Sequence, residues 1–321
     1  MADNSEIIGL LDEFAQIADI MGETYRTNAY NTAVQSIKKL SWKIKENPQR
    51  VIQEKIPGVG IGIRNRLLEY IRTGTIADLE KLRKNKKVVA ASAFSKIAGV
   101  GPATVRNWLS MRIYDMGQLR RKIGNGTIVL TKMQQYGLKY YDDLNTRIPR
   151  DEVEEIGSRV RRLVISLMPD IQMTIAGSYR RGASTSGDID IIATSTEYEE
   201  TLLKNVSLEL ENDPDFVAVM SSGSERLTFL YKYGMVRQVD ILYLPKSEFY
   251  PGVLYFTGDW SFNEEMRRYA RKKGYRLNQR GLYQLKPPKL IKVNSEKEIF
   301  DILGLSYVEP PARMSGAIKE R

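Results

Sequence analysis

Residues Thr174–Ser195 read TIAGSYRRGASTSGDIDIIATS, and the interpretation of the whole chain turns on them. A short apolar run leads into a turn-rich segment, Gly177–Gly187, and an alternating acidic and apolar run follows, Asp188-Ile189-Asp190-Ile191-Ile192. Side chains along a strand alternate between faces, so Asp188 and Asp190 project from one side while Ile189 and Ile191 point to the other. Two adjacent carboxylates repel, and a bound divalent cation is the usual remedy. Mg²⁺ suits such hard oxygen ligands and is commonly shared between one or two carboxylates and substrate phosphates. Just upstream, Gly177 and Ser178 offer backbone and hydroxyl donors, and Arg180 and Arg181 add planar forks matched to phosphate oxygens. Two aspartates at i and i+2 also fit an ordinary acidic turn. With the glycine, serine and arginines attached, the stretch reads as a site for a polyphosphate and its metal.

This arrangement resembles the glycine-serine motif and first carboxylate pair of the nucleotidyltransferase superfamily, and the longer string GSYRRGASTSGDIDI is similar to the polymerase beta type of family X DNA polymerases. The resemblance implies a third metal carboxylate on a neighbouring strand. In MVRQVDILYLP, Val236, Gln238 and Asp240 alternate with Arg237, Val239 and Ile241, which makes Asp240 the candidate. It also implies two Mg²⁺ ions, with Mn²⁺ as a substitute, Asp188 and Asp190 bridging both and Asp240 holding the ion that acidifies a primer 3′-hydroxyl. Gly177, Ser178, Arg181, Ser186 and Gly187 are expected around the triphosphate.

A chain of 321 residues is long for one domain, so two to four subdomains are expected. The net charge of +10 is unevenly spread: Met1–Asp143 holds 23 of the 49 basic residues and 14 of the 39 acidic ones, net +9, leaving +1 for the rest. A phosphate backbone is the obvious partner for that basic half, although a merely soluble basic domain fits too. Cysteine and histidine are both absent, which excludes disulfides, thiolate metal sites and every histidine-based base, triad or zinc site. Any chemistry must rest on carboxylates, amines, hydroxyls and a borrowed metal. The start, MADNSEIIGLL, lacks a positive n-region and a long apolar core, and no apolar run approaches the length of a membrane span. The expectation is a soluble intracellular monomer, nuclear, or host-cytoplasmic or virion-associated if viral.

The first half reads as helices without a strand candidate. Ser5 can cap a helix burying Ile8, Leu11, Phe14, Ala15 and Ala18 and closing at Gly22. Helices over Asn28–Leu40 and Pro48–Lys55 follow, then Ile56-Pro57-Gly58-Val59-Gly60 and a helix from Ile63 to Arg72. The same design recurs 41 residues on, at Ile97-Ala98-Gly99-Val100-Gly101, an internal duplication. Glycines before a helix let its backbone N–H groups approach a phosphate without Cβ obstruction. The pattern resembles the helix-hairpin-helix motif, which grips DNA by its backbone. On that resemblance the first copy holds the strand downstream of a gap and the second the primer strand, each with a monovalent cation. Arg26, Arg64, Arg66, Lys96, Arg106 and Arg120-Arg121-Lys122 are further phosphate candidates. The basic run Lys81–Lys87 is taken as a linker.

From Asp170 the period changes to that of strands: Gln172–Ala176, Asp188–Thr194, Phe216–Ser221, Arg226–Tyr231 and Val236–Tyr243, with a crossover helix over Thr196–Leu210. The fold class is therefore multidomain α+β: helical N-terminal domains with two helix-hairpin-helix motifs, a nucleotidyltransferase palm and a small α/β thumb, the nucleotide-binding subdomain. The division expected is 1–85, a lyase-like gap-binding domain; 86–143, a second DNA-binding domain; 144–245, the palm; and 246–321, the nucleotide-selection subdomain. In the last, the resemblance puts Tyr255, Phe256 and Gly258 beside the incoming sugar, Asn263 at the nascent base pair and Arg267 on the template. No stretch is left for a BRCT or phosphoesterase domain.

The function implied is a DNA-directed DNA polymerase of base excision repair, filling short gaps with dNTPs on gapped or nicked duplex DNA beside a repair ligase. Alternatives are a template-independent nucleotidyltransferase and a catalytically weak gap-binding scaffold. Three departures stand out. Arg66 occupies the place of the family's lyase lysine, and a guanidinium does not readily form an imine, so no lyase nucleophile is assigned and lyase activity is expected to be weak or absent. Lys38, Lys39 and Lys55 are the substitutes to test. Gln238 replaces an arginine beside the third carboxylate, with Arg237 as a stand-in for contacts to DNA. Trp260 replaces an aspartate near the incoming base, as a stacking surface or as thumb core.

Overall fold

The computed structural model describes residues 3–321, which divide into two compact units, 3–141 and 142–321. The first is helical: α1 Ser5–Met21, α2 Thr24–Ile37, α3 Pro48–Gln53, α4 Ile61–Thr73, α5 Ala77–Lys84, α6 Lys86–Ser95, α7 Pro102–Ser110, α8 Met116–Gly124 and α9 Lys132–Lys139. The apolar stripe of α1 is Ile7, Leu11, Phe14, Ala15 and Ala18, one residue off the expected start at Ile8. Its N-cap is Asn4 rather than Ser5. That buried amide reaches instead to the loop after α2, accepting from Ile44 N at 2.9 Å and donating to Trp42 O at 3.1 Å, which fixes the stripe's register. Phe14 stacks on Tyr30 with ring centroids 5.0 Å apart.

The stretch Lys81–Lys87 is not an open linker. Helix α5 runs to Lys84, and Asn85 caps α6 through its side chain, accepting from Lys87 N at 2.9 Å. Its basic residues face solvent along helices whose apolar partners, Leu79, Val88 and Ala91, are buried. Because α1 packs on α6 and α7, the segments 1–85 and 86–143 build one body up to Tyr141.

The second unit contains α10 Tyr141–Asn145 at its border, then β1 Ile148–Pro149, α11 Arg150–Leu167, β2 Gln172–Ile175, α12 Gly177–Arg180, β3 Thr185–Ser186, β4 Ile189–Thr194, α13 Leu202–Leu210, β5 Phe216–Ser222, β6 Arg226–Tyr233 and β7 Met235–Tyr243. Five strands form a mixed sheet in the order β2-β4-β7-β6-β5, with β4 and β7 parallel and the other pairs antiparallel. One face is dry. Ile189, Ile191, Val239, Ile241, Leu227 and Phe229 pack there under Val153, Ile156 and Val160 of α11 and Leu203 and Val206 of α13. Each such fully buried aliphatic side chain contributes on the order of 2 kcal/mol, enough together to support unfavourable polar groups on the other face. On that other face Ile192, Leu242 and Leu244 pack with Phe249 and Val253 of α14, Lys246–Thr257.

The chain continues through α15 Trp260–Lys272, an antiparallel sheet of β8 Tyr275–Asn278, β9 Gly281–Leu285 and β10 Pro288–Ile291, and α16 Glu296–Leu303. Helix α14 and the small sheet have no counterpart in the sequence reading. Pro251 sits inside α14, and three strands of four or five residues carry too little alternation to register. Among the described residues no helix is long and apolar enough to cross a membrane.

Candidate active site

Strand pairing assembles the acidic cluster. Asp190 of β4 lies directly across from Asp240 of β7, and Thr228 of β6 lies across from Asp240 on the other side. Alternation then puts Gln238 on the same face as Asp240, and Asp188 precedes β4 by one residue. Asp188, Asp190 and Asp240 each offer an oxygen within 4.8 Å of the others. Their exposure is graded: Asp188 reaches solvent, Asp190 is half-buried and Asp240 is 1% exposed.

The buried member is held hardest. Asp240 Oδ1 accepts from Arg226 Nη2 at 2.9 Å, Arg226 Nε at 3.1 Å and Thr228 Oγ1 at 2.5 Å, and Oδ2 accepts from Gln238 Nε2 at 2.8 Å. Oδ2 keeps a lone pair for a further ligand. Gln238, a departure from the family pattern, therefore takes part in the site by aiming this carboxylate. Asp190 is pushed up to about 7 by burial and then by the charges of Asp188 and Asp240. Asp188 is also raised, by partial dehydration and by Asp240, with Arg226 and Arg147 opposing the shift. Three hard oxygen donors that resist sharing their charge fit a divalent cation, which would relieve the repulsion.

The turn before β4 closes over this cluster. Gly177 has φ +56°, and a Cβ there would lie 2.6 Å from Asp190 Oδ2, so the carboxylate occupies the space a side chain would need. Arg150 clips the turn from behind, with Nη1 donating to Tyr179 O at 2.6 Å and the guanidinium 3.9 Å from the Tyr179 ring centroid. Ser178 Oγ donates to Ser186 Oγ at 2.9 Å. Ser186, the acceptor of that bond, is 2% exposed. The exposed Gly187 faces Arg147, whose Nη1 would be 3.3 Å from a Cβ at that position.

The two arginines of the turn have different fates. Arg180 is committed to protein: it donates to Glu296 at 3.0 and 2.5 Å and to Thr257 Oγ1 at 2.8 Å, so it is not a fork for phosphate. Arg181 donates from Nη1 to Thr257 O at 2.5 Å and remains half-buried at the rim. Beyond Thr257, Tyr255 and Phe256 form the end of α14, their rings edge to face at 5.1 Å. Asn263 Nδ2 donates to Tyr255 O at 2.6 Å, and Arg267 sits 5.7 Å from the Tyr255 ring centroid with Nε bonded to Asn263 O. Trp260 is 64% exposed, which removes the core reading of that side chain.

Arg237 is a correction. It is 3% exposed and spends its donors on Glu152 at 2.7 and 3.0 Å, Asp143 O and Thr146 O. Nothing of it is left for DNA. It locks the entry to α11 against β7, and the place beside Asp240 is taken by Arg226, which alternation along one strand could not reveal. Arg147, Arg226 and Thr228 were all missed because their proximity to the aspartates is set by strand order and a turn, not by spacing in sequence.

In the helical unit the two hairpins superimpose in their bonding. Val59 N donates to Ile56 O and Val100 N to Ile97 O, both at 3.0 Å, while Gly60 O and Gly101 O receive the first bonds of α4 and α7. Gly58 has φ +80° and a Cβ there would meet Ala33 N at 2.4 Å; Gly60 and Gly101 face open space. The first-turn N–H groups beside them are thus approachable. Lys96 is exposed at the end of α6. Arg26 pairs with Glu23 at 2.9 Å, and Arg66 with Asp78 at 2.9 Å while lying 5.2 Å from the Phe14 ring centroid. Arg26, Arg66 and Tyr30 line one cavity of about 220 Å³; Arg64 is half-buried on the same helix as Arg66.

Comparison with known proteins covers most of the chain. The model of the DNA polymerase beta palm matches residues 147–246 and that of its thumb residues 252–314. The fingers domain of DNA polymerase lambda matches residues 92–145, and a helix-hairpin-helix domain residues 2–76. DNA polymerase lambda of Arabidopsis thaliana is 29% identical over 97% of this chain and 62% of its own length; that of Rattus norvegicus is 29% identical over 97% and 56%. The DNA nucleotidylexotransferase of Gallus gallus is 26% identical over 93% of this chain and 66% of its own. The chain thus spans about three fifths of the length of the polymerase relatives it matches.

Proposed function

Because the chain belongs to the polymerase beta-like group of family X DNA polymerases, we propose that it is a DNA-directed DNA polymerase that adds dNTPs to a primer 3′-hydroxyl in short gaps. The observation that carries this reading is the meeting of Asp188, Asp190 and Asp240 beside the Gly177–Gly187 turn. Those three carboxylates would hold two Mg²⁺ ions, with Mn²⁺ as a substitute. Bound there, such ions make the primer hydroxyl a better nucleophile and neutralise charge on the transferring phosphoryl group.

The chain's own residues supply alignment. Arg226, Thr228 and Gln238 prevent Asp240 from rotating, so one oxygen keeps a fixed direction. Ser178, Arg181, Gly187 and Arg147 form the donor-rich rim expected to receive the β and γ phosphates. Tyr255, Phe256 and Gly258 would border the sugar, with Asn263 and Arg267 towards the base pair. The hairpins at Gly58–Gly60 and Gly99–Gly101 would take DNA phosphates without reading sequence, each with a monovalent cation as a further element to test.

Templated synthesis is favoured over template-independent addition by the connection between β5 and β6. It is only Gly223–Glu225, closed by Gly223 N donating to Arg226 O at 2.8 Å, and leaves no long loop on the template side. A lyase step at the usual position is disfavoured, since Arg66 carries no nucleophilic amine and is bound to Asp78. We place the protein in base excision repair, acting as an intracellular monomer upstream of a ligase. Incorporation on one-nucleotide gapped DNA with a 5′ phosphate tests the core of the reading. Wild type should extend only opposite a templating base and Asp240→Ala should not extend; retained incorporation by that variant would remove the enzymatic account. Borohydride trapping on a pre-incised abasic site should fail, and efficient trapping would overturn the lyase statement.

A further inference from the structure

The small sheet β8-β9-β10 has one covered face and one bare face. Strand pairing sets Leu277, Leu282 and Ile291 in a row, and that row packs in one core with Phe262, Met266 and Ala270 of α15. The neighbouring row, Arg276, Tyr283 and Leu290, points the other way, together with Leu285 and Pro288. A solvated sheet face is ordinarily polar. On this one Leu285 and Leu290 are 40% and 39% exposed, and Pro288 is exposed beside them. Gly281 lies beneath: a Cβ there would be 2.7 Å from Leu290 Cδ1 and 3.2 Å from Tyr283 Cε2, so both side chains lie flat across the backbone. Covering a glycine is a structural use for Tyr283, but it gives no reason for Leu285 and Pro288.

The rim carries one sign of charge. Residues 274–294 hold five basic residues and no acidic one, in a half of the chain whose net charge is +1. Arg280 is spent on Glu225 and Glu248, whereas Arg276, Lys286, Lys289 and Lys292 form no salt bridge among the described residues. An apolar centre inside a basic rim complements a partner that is apolar and acidic. DNA fits the face less well, because Asn263 and Arg267 stand on α15, which covers the opposite side of the sheet. Strand addition fits poorly too: β10 is an edge, but Pro288 lacks an N–H and Lys289 flanks it, the usual defences of an edge strand. Strands of four or five residues are about 13–17 Å long, and three of them span about 10 Å. That is the footprint of roughly three turns of one α-helix.

We propose that the outer face of β8-β9-β10 docks an acidic amphipathic helix of a partner protein, with apolar side chains on Tyr283, Leu285 and Leu290 and carboxylates on the surrounding lysines. The proposal goes beyond the polymerase reading and does not depend on it. So small an interface is a transient one.

The probe is a fluorescently labelled peptide of about four helical turns, made of leucine, alanine and glutamate with leucines at i, i+3, i+4 and i+7, titrated with the full chain and read by anisotropy. It should bind, more weakly as salt is raised, and its counterpart with lysine in place of glutamate should not. Leu290→Asp, and separately Lys286→Glu with Lys289→Glu, should each raise Kd by about 10-fold or more. The lysine reversals lie at exposed positions and should keep the wild-type melting temperature, so they carry the test if Leu290→Asp is misfolded. Peptide binding that the lysine reversals leave unchanged would overturn the proposal, as would equal binding of the lysine peptide or no binding of the acidic one at about 1 mM. Weakened binding of gapped DNA by the reversals, with the peptide unaffected, would give the face to DNA and overturn it as well. Incorporation by wild type against Asp240→Ala still decides the polymerase reading by itself.

Discussion

Replacing Glu296 by alanine should destabilise the second unit more than any exposed charge change, and the reason lies in its two arginine partners. Arg313 donates to Glu296 Oε1 at 2.7 Å, to Val308 O at 3.0 Å and to the Tyr307 hydroxyl at 3.2 Å. Its side chain is 0% exposed, and the rings of Phe262, Phe300 and Tyr307 lie within 5.9 Å of the guanidinium carbon. Water cannot replace the carboxylate there. Arg180, at 23% side-chain exposure and still bonded to Thr257, can be rehydrated in part, so its share of the loss is smaller. Stranding one fully buried arginine costs about 3–5 kcal/mol. For a unit of this size that is a fall in melting temperature of roughly 6–20 °C, read by scanning calorimetry of the full chain. The double variant Glu296→Leu with Arg313→Met should recover most of it, because no charge then remains buried beside Leu303 and Phe262. A loss under about 2 °C for Glu296→Ala, or a double variant as unstable as the single one, would refute the reasoning.

The raised carboxyl of Asp190, near 7 against 3.8 in its ordinary state, means the native protein binds more protons than the unfolded chain between those values. Metal-free stability should therefore fall as pH rises from about 4 to 7, the deficit being complete above 7. Asp190→Asn should flatten this profile and be more stable at pH 8 by roughly 2 kcal/mol, about half of what the shift alone implies, because Asp190 keeps contact with solvent. Added Mg²⁺ should stabilise wild type more at pH 8 than at pH 5.5, since it must displace a proton at the lower pH. Gly58→Ala should destabilise the helical unit, with its Cβ 2.4 Å from a backbone nitrogen and φ +80°. Gly60→Ala, in open space, should keep the melting temperature and weaken gapped-DNA binding in a salt-titrated anisotropy assay. Gln238→Ala should raise the Mg²⁺ concentration for half-maximal incorporation by about 10-fold, because Asp240 Oδ2 loses its 2.8 Å bond.

Much of the site was legible in one dimension. Strand alternation put Asp188 and Asp190 together, and the five strands of the large sheet lie within a residue or two of where the pattern places them. The paired GVG hairpins were legible because a left-handed turn before a helix leaves glycine few substitutes. Helix α14 was not, since its aromatic run and internal Pro251 carry no period. That the Lys81–Lys87 stretch, expected as a linker, is helical to Lys84 and again from Lys86 was not legible, because a charged face looks the same on a helix as in a coil.

The chain's residue pattern determined the chemistry available: carboxylates without histidine or cysteine, a turn rich in glycine, serine and arginine, and a basic first half. Only the tertiary structure decided which neighbours serve them. Arg237 and Arg226 are equally basic and both lie on central strands, yet one is sealed against Glu152 and the other grips Asp240. Arg180 and Arg181 are adjacent, yet one is bound to Glu296 and the other stands at the rim. Local spacing fixes the direction in which a side chain leaves the backbone; what it meets there depends on strand order and packing between segments far apart in sequence.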